Sequence, residues 1–242
     1  MPSRSVVCCR SGQLRFPSYR LWLKLALVTV VLSLFQIGVL CAAIVSDFST
    51  GTDGWLLSGD TTTALPTHVP LGGNPGGYIN GTDLTVGGVW YWDAPVKFLG
   101  NVSAAYGQPL TFDLRMRGSG PIFADSDVIL AGAGLSLHFD TSPVPQNLLW
   151  TSYSVLLSES SGWKVGSLAG PTPTPAEFQS VLFDLDRLRI RGEFITGSDN
   201  GDLDNVTLNG NFASVPVPAS LAIWGLGVLG VGMIVRRRKD VT

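Results

Sequence analysis

Cysteine is absent beyond position 41; the chain's three are Cys8, Cys9 and Cys41. The rest therefore has no disulfide framework, and a chain of this length does not need one in any compartment. Histidine is almost absent too, with only His68 and His138. There is no G-x-S-x-G, no H-E-x-x-H, no phosphate-binding glycine loop and no EF-hand spacing. These absences remove the common nucleophilic, zinc and nucleotide chemistries. Positive charge is scarce in the middle of the chain: residues 46–215 hold 17 acids against 7 bases. Phosphate recognition needs a basic face, so nucleic acid is excluded as an expected partner. An acidic body suits an extracytoplasmic protein and is compatible with bound cations.

The ends have the opposite charge. Residues 1–45 carry Arg4, Arg10, Arg15, Arg20 and Lys24 and no acid, followed by an apolar run from Leu25 to Val45. A basic region, an apolar core and small residues around Ala42-Ala43 form signal-peptide grammar, with cleavage after Ala43. The run is also long enough to stay as an uncleaved membrane anchor. At the other end, Leu221–Val235 has no charge and is rich in glycine, and Arg236, Arg237, Arg238 and Lys239 follow as a cytoplasmic stop. As a helix this run rises about 22 Å, and Val217–Ser220 extends it close to a span. Its glycines weaken a soluble helix and allow close helix approach in a membrane.

Between the ends, apolar residues alternate. Leu110, Phe112, Leu114 and Met116 fall on one face, with Thr111, Asp113 and Arg115 on the other. Leu135, Leu137 and Phe139 form a similar row, as do Thr151, Tyr153, Val155 and Leu157. Leu188 and Ile190 lie opposite Arg189 and Arg191. Period two marks half-buried strands, and glycine-rich turns separate them. The fold expected is all-β, an antiparallel jelly-roll sandwich. One short helix is predicted: Thr174 caps it, Pro175 fits the first turn, Glu177 closes a capping box, and Phe178, Val181 and Leu182 form its apolar face.

Two family resemblances follow from these segments. Val215-Pro216-Val217-Pro218, then Ala219-Ser220-Leu221, a glycine-rich span and a terminal basic cluster resemble the PEP-CTERM sorting signal of Gram-negative bacteria. That signal usually has Glu where this chain has Val217. The resemblance implies processing by an exosortase near Pro216–Pro218 and transfer to the surface or release, as in a GPI signal whose apolar tail is removed. Tyr91-Trp92, Ala94-Pro95, Phe98-Leu99-Gly100 and Tyr106-Gly107 resemble the laminin B (laminin IV type A) domain. "GGNPGGYI", "WTSYSVLL", "LRIRGEF" and "LDNVTL" fit it in order, over roughly residues 47–208. This implies a galactose-binding-like jelly roll with no established catalytic residues. The organisation expected is a leader or apolar segment at 1–45, the jelly roll at 46–212 and a sorting or anchor segment at 213–242.

Two candidate sites remain. By the same resemblance, a structural calcium ion would join the first strand to the last through Asp47 and Asp204, with Asp199, Asp202 and Asn205 as neighbours. The bland alternative is that these residues form turns and exposed charges. Trp90, Tyr91 and Trp92 are consecutive, so a strand places Tyr91 opposite both tryptophans. An open Trp90–Trp92 face would suit sugar stacking, whereas core filling is the ordinary use of such aromatics and of Trp55, Trp150 and Trp163. His138 is expected as a solvated strand histidine. Asn80, Asn101 and Asn205 begin N-x-S/T sequons, which matter only in a glycosylating host. The function expected is a non-enzymatic structural or adhesive protein at the cell surface or in extracellular polysaccharide. A permanently anchored glycan binder is the first alternative, and a secreted carbohydrate-active enzyme is the remote one.

Overall fold

The computed structural model describes residues 42–61, 65–83, 87–197 and 199–212. Residues 1–41 of the expected leader, the sorting motif Val215–Pro218 and the basic stop Arg236–Lys239 lie outside the described residues, whereas residues 42–45, expected at the leader's end, belong to a strand. Among the described residues, no helix is long and apolar enough to cross a membrane.

Among the described residues, twelve strands form two six-stranded sheets. They are β1 (Ala42–Ser46), β2 (Leu56–Gly59), β3 (Thr67–Gly73), β4 (Gly76–Thr82), β5 (Trp90–Asp93), β6 (Pro109–Arg117), β7 (Val128–Gly132), β8 (Leu135–Phe139), β9 (Thr151–Leu156), β10 (Lys164–Val165), β11 (Leu185–Arg191) and β12 (Asn200–Phe212). The first sheet runs β3-β4-β12-β6-β9, with β1 also paired to β12; the second runs β10-β8-β7-β11-β5-β2. All named strand pairs are antiparallel. The long β12 is the centre of the first sheet. Its first half pairs with β4, its second half with β1, and β6 lies along the other side.

The alternation read in β6 sets the core. Leu110, Phe112, Leu114 and Met116 are buried against the second sheet. Leu203 and Ile79 meet them from β12 and β4, and Leu57, Trp92, Leu130, Leu137, Leu188 and Ile190 from the opposite sheet. Burial of this apolar surface, at about 25 cal/mol per Å², is the main term favouring the fold. The helix α1 (Pro175–Phe183) forms as its sequence dictates. Thr174 Oγ1 accepts from the Glu177 amide at 3.2 Å, and Glu177 Oε2 accepts from the Thr174 amide at 2.7 Å. Its Phe178 packs edge-on against Trp163, with ring centroids 5.6 Å apart.

Two expectations need correction. His138 is half-buried, not solvated: Ser126 Oγ is 2.9 Å from Nδ1 and Ser136 Oγ is 3.0 Å from Nε2. Burial holds its pKa below the usual histidine value. Arg191 is 1% exposed, although alternation puts it on the polar face. The segment before β7 covers it. Its guanidinium lies between the Phe123 and Phe194 rings, 4.5 and 4.6 Å from their centroids, and pairs with Asp127 at 3.1 Å.

Candidate functional site

β5 places Trp90 and Trp92 inward, both 0% exposed, with ring centroids 5.1 Å apart and planes at 74°. Trp90 fits because Gly81, Gly192 and Gly201 approach it; a Cβ at any of them would collide with the ring. The opposite side of β5 is closed as well. Tyr91 is 7% exposed, donates to Asp125 Oδ1 at 3.3 Å and lies under the Arg189 guanidinium. An open stacking platform at Trp90 and Trp92 is therefore ruled out: these rings fill the core.

The five expected calcium ligands divide among three surroundings. Asp199 sits below Trp90, where its carboxylate accepts from Trp90 Nε1 at 3.4 Å and from the Phe194 amide at 3.4 Å. Asp202 accepts from Arg115 Nε at 2.7 Å, Arg117 Nε at 2.6 Å and Asn80 Nδ2 at 2.7 Å. Their inclusion in one site with Asp204 is corrected: Asp199 precedes the regular part of β12, and Asp202 is committed to two arginines. Asp204 and Asn205 stay together at a bulge in β12, where Asn205 has φ of 50°. Asp204 accepts from the Asn74 amide at 2.6 Å and the Asn205 amide at 2.7 Å. Asp113 lies directly across the ladder from Asp204 and accepts from Asn205 Nδ2 at 2.8 Å. Asp47 is exposed and accepts from the Ser49 amide at 3.0 Å. Its charge reaches Asp204, whose pKa is raised to about 6, mainly by burial and also by Asp113 and Asp47. Among the described residues, no three His, Cys, Asp or Glu side chains converge on a common metal position.

A second acidic group lies at the β11–β12 corner. Glu193 is 3% exposed and accepts from the Trp90 amide. Its pKa is raised to about 7 by burial and by the charges of Asp83, Asp199 and Asp60. That of Asp199 is raised to about 6, again mainly by burial.

The outward face of the first sheet carries the richest arrangement. Tyr78 and Asn80 from β4, Asp202 from β12, and Arg115 and Arg117 from β6 share this face, because Ile79, Leu203, Leu114 and Met116 alternate inward. Trp150, just before β9, joins them. The Arg115 guanidinium is 4.3 Å from the Trp150 centroid and 4.8 Å from that of Tyr78. The two rings meet edge to face at 5.6 Å. Trp150 Nε1 donates to the Gly72 carbonyl at 3.2 Å, and its ring is only partly buried. Sequence reasoning placed Trp150 in the core with Trp55 and Trp163. Those two are 0% exposed, but Trp150 is not a core residue. The polar member of the β6 alternation was a usable signal for Arg115; nothing local indicated its pairing with Trp150.

The architecture and its filled centre define a β-sandwich of the jelly-roll type. Residues 91–220 match the model of the Laminin B (Domain IV) family, and the chain belongs to that family. Laminin subunit gamma-2 of Homo sapiens is 37% identical over 142 residues, covering 55% of this chain and 11% of that one. Laminin subunit gamma-1 of Xenopus tropicalis is 29% identical over 175 residues, covering 71% of this chain and 10% of that one. Among solved structures, the L4b domain of human laminin alpha-2 superposes with a TM-score of 0.56 at 16% identity, covering 69% of this chain and 98% of that one. The chain thus spans about a tenth of the length of its laminin relatives.

Proposed function

We propose that this protein is a non-enzymatic structural or adhesive module that works outside the cell, at the envelope or in an extracellular polysaccharide matrix. Membership of the Laminin B (Domain IV) family carries this reading. The described histidines support it: His68 Nε2 lies 2.8 Å from the Phe48 carbonyl, and His138 is held by two serines, so both serve packing. Export uses the leader at 1–45. Sorting uses Val215-Pro216-Val217-Pro218, read by an exosortase in a Gram-negative envelope, while Arg236–Lys239 hold the tail in the cytoplasm. Intact-mass measurement of the protein recovered from its source cells tests the route. A C-terminus between Val215 and Ala219 supports sorting. An intact Thr242 overturns it in favour of permanent membrane anchoring.

A structural calcium ion belongs to this proposal in narrower form. Asp113 and Asp204 are buried opposite each other, and neither makes an ion pair with a described base. Like charges in that position are destabilising. A hard cation bound by carboxylate, amide and backbone oxygens would relieve them, and Asp47 is close enough to contribute charge.

A further inference from the structure

We propose that the outward face formed by Tyr78, Arg115, Arg117 and Trp150 binds an anionic polysaccharide, with the arginines taking its acid groups and the indole stacking on a sugar ring.

Three observations carry this. First, the face has donors to spare. Arg115 uses Nε on Asp202 and Nη1 on the Gly72 carbonyl; Arg117 uses Nε on Asp202 and Nη2 on the Tyr78 hydroxyl at 2.8 Å. Arg115 Nη2 and Arg117 Nη1 make no hydrogen bond within the described protein. A guanidinium presents its N–H groups as a planar fork that fits a carboxylate or sulfate. Second, the charge that reaches solvent on this face is that of the arginines, whose side chains are 14% and 37% exposed while that of Asp202 is fully buried. Two guanidinium groups share the single Asp202 carboxylate, although residues 46–215 hold 17 acids against 7 bases. The other two carboxylates of the face are shielded from solvent. Asp113 and Asp204 are 7% and 0% exposed, and the amide of Asn74, in the β3–β4 turn, caps Asp204. Third, Trp150 and Tyr78 are aromatic, partly accessible in the first case, and held rigidly by the same arginine. A fixed aromatic plane beside charge-assisted donors provides the two contacts an acidic sugar offers: an apolar ring face and an oxyanion. Exposed Leu71 lies beside Gly72 near the end of β3, and exposed Leu148 and Leu149 lie in the segment just before Trp150.

Five strands at about 4.8 Å spacing make this face roughly 20 Å wide, room for several residues of an extended chain. A polysaccharide suits that span better than a small acid, because one acidic residue can sit at the arginine–tryptophan cluster while its neighbours lie along the rest of the face. The inference deepens the matrix reading and rests on it only for where such a ligand is met.

Affinity electrophoresis of the full chain in mild detergent tests this, with polygalacturonate, dextran or poly-L-glutamate in the gel. Retardation by polygalacturonate alone, weakened by salt, is expected. Arg117→Gln and Trp150→Ala should each lower the apparent affinity about tenfold, the equivalent of one charge-assisted contact. Circular dichroism matching the parent shows that both variants fold, and Arg117 is the safer site because its side chain is 37% exposed. Equal retardation of parent and variants overturns the proposal, as does equal retardation by dextran. Equal retardation by poly-L-glutamate replaces the polysaccharide with any polyanion, and overturns it too. A protein that resides in the matrix yet fails these tests refutes this inference and leaves the matrix reading standing.

Discussion

Removing the Asp202 carboxylate should destabilise the protein by about 3 kcal/mol. Asp202 is fully buried and accepts from two arginine Nε atoms and the Asn80 amide. Hydrogen bonds to a charged group contribute about 1.5–3 kcal/mol each. Against that, Asp202→Ala removes the desolvation cost of the carboxylate. The released Arg115 and Arg117 side chains, 14% and 37% exposed, also regain some water. The net effect falls at the low end of the roughly 3–5 kcal/mol seen when a buried pair loses one partner. Asp202→Asn keeps one acceptor oxygen and should cost about half as much. Urea unfolding followed by tryptophan fluorescence reads both variants. With a slope of about 2 kcal/mol/M, the Asp202→Ala midpoint should fall by about 1.5 M. A loss within about 0.5 kcal/mol, the range of ordinary surface changes, would refute the claim that this carboxylate organises the face.

Stability should rise as pH is lowered from about 7.5 to about 5. The folded pKa values of Glu193, Asp199 and Asp204 are raised, to about 7, 6 and 6. The unfolded chain therefore releases these protons first as pH rises, and stability is lost through that window. His138, with its lowered pKa, opposes this below its usual range. The lowered carboxylates Asp47, Glu159 and Glu177 reverse the trend at more acid pH. Urea midpoints should show a net gain on the order of 2 kcal/mol, and a monotonic loss on acidification contradicts it. Gly192→Ala drives a methyl group into the Trp90 ring and should cost at least about 2 kcal/mol by overpacking; a neutral midpoint shift contradicts the packing described for Trp90. Calcium should raise the melting temperature relative to chelator, and Asp204→Asn should abolish the difference; identical melts in the parent remove the ion from the account.

The strands and the helix were legible where local rules and burial agree. The alternation of β6 and the Thr174–Glu177 box are local devices, and both appear as read. The aromatic strand was ambiguous because period two separates the faces of β5 without saying what covers each. Burial of Tyr91 depends on Asp125 and Arg189, both distant in sequence. Asp199, Asp202 and Asp204 are close in the chain, which suggested one site. The start of β12 and its pairing with β6 then send them to different partners. The Arg115–Trp150 contact needs a long-range strand pairing and was not visible locally.

The central claim is that this member of the Laminin B family acts outside the cell as a non-catalytic matrix component. Fractionation of its source cells, with an antibody raised against the protein, tests it most directly. The account predicts that the mature protein co-purifies with the extracellular polysaccharide and envelope fraction and is released by salt. Recovery wholly in the cytoplasm would contradict it.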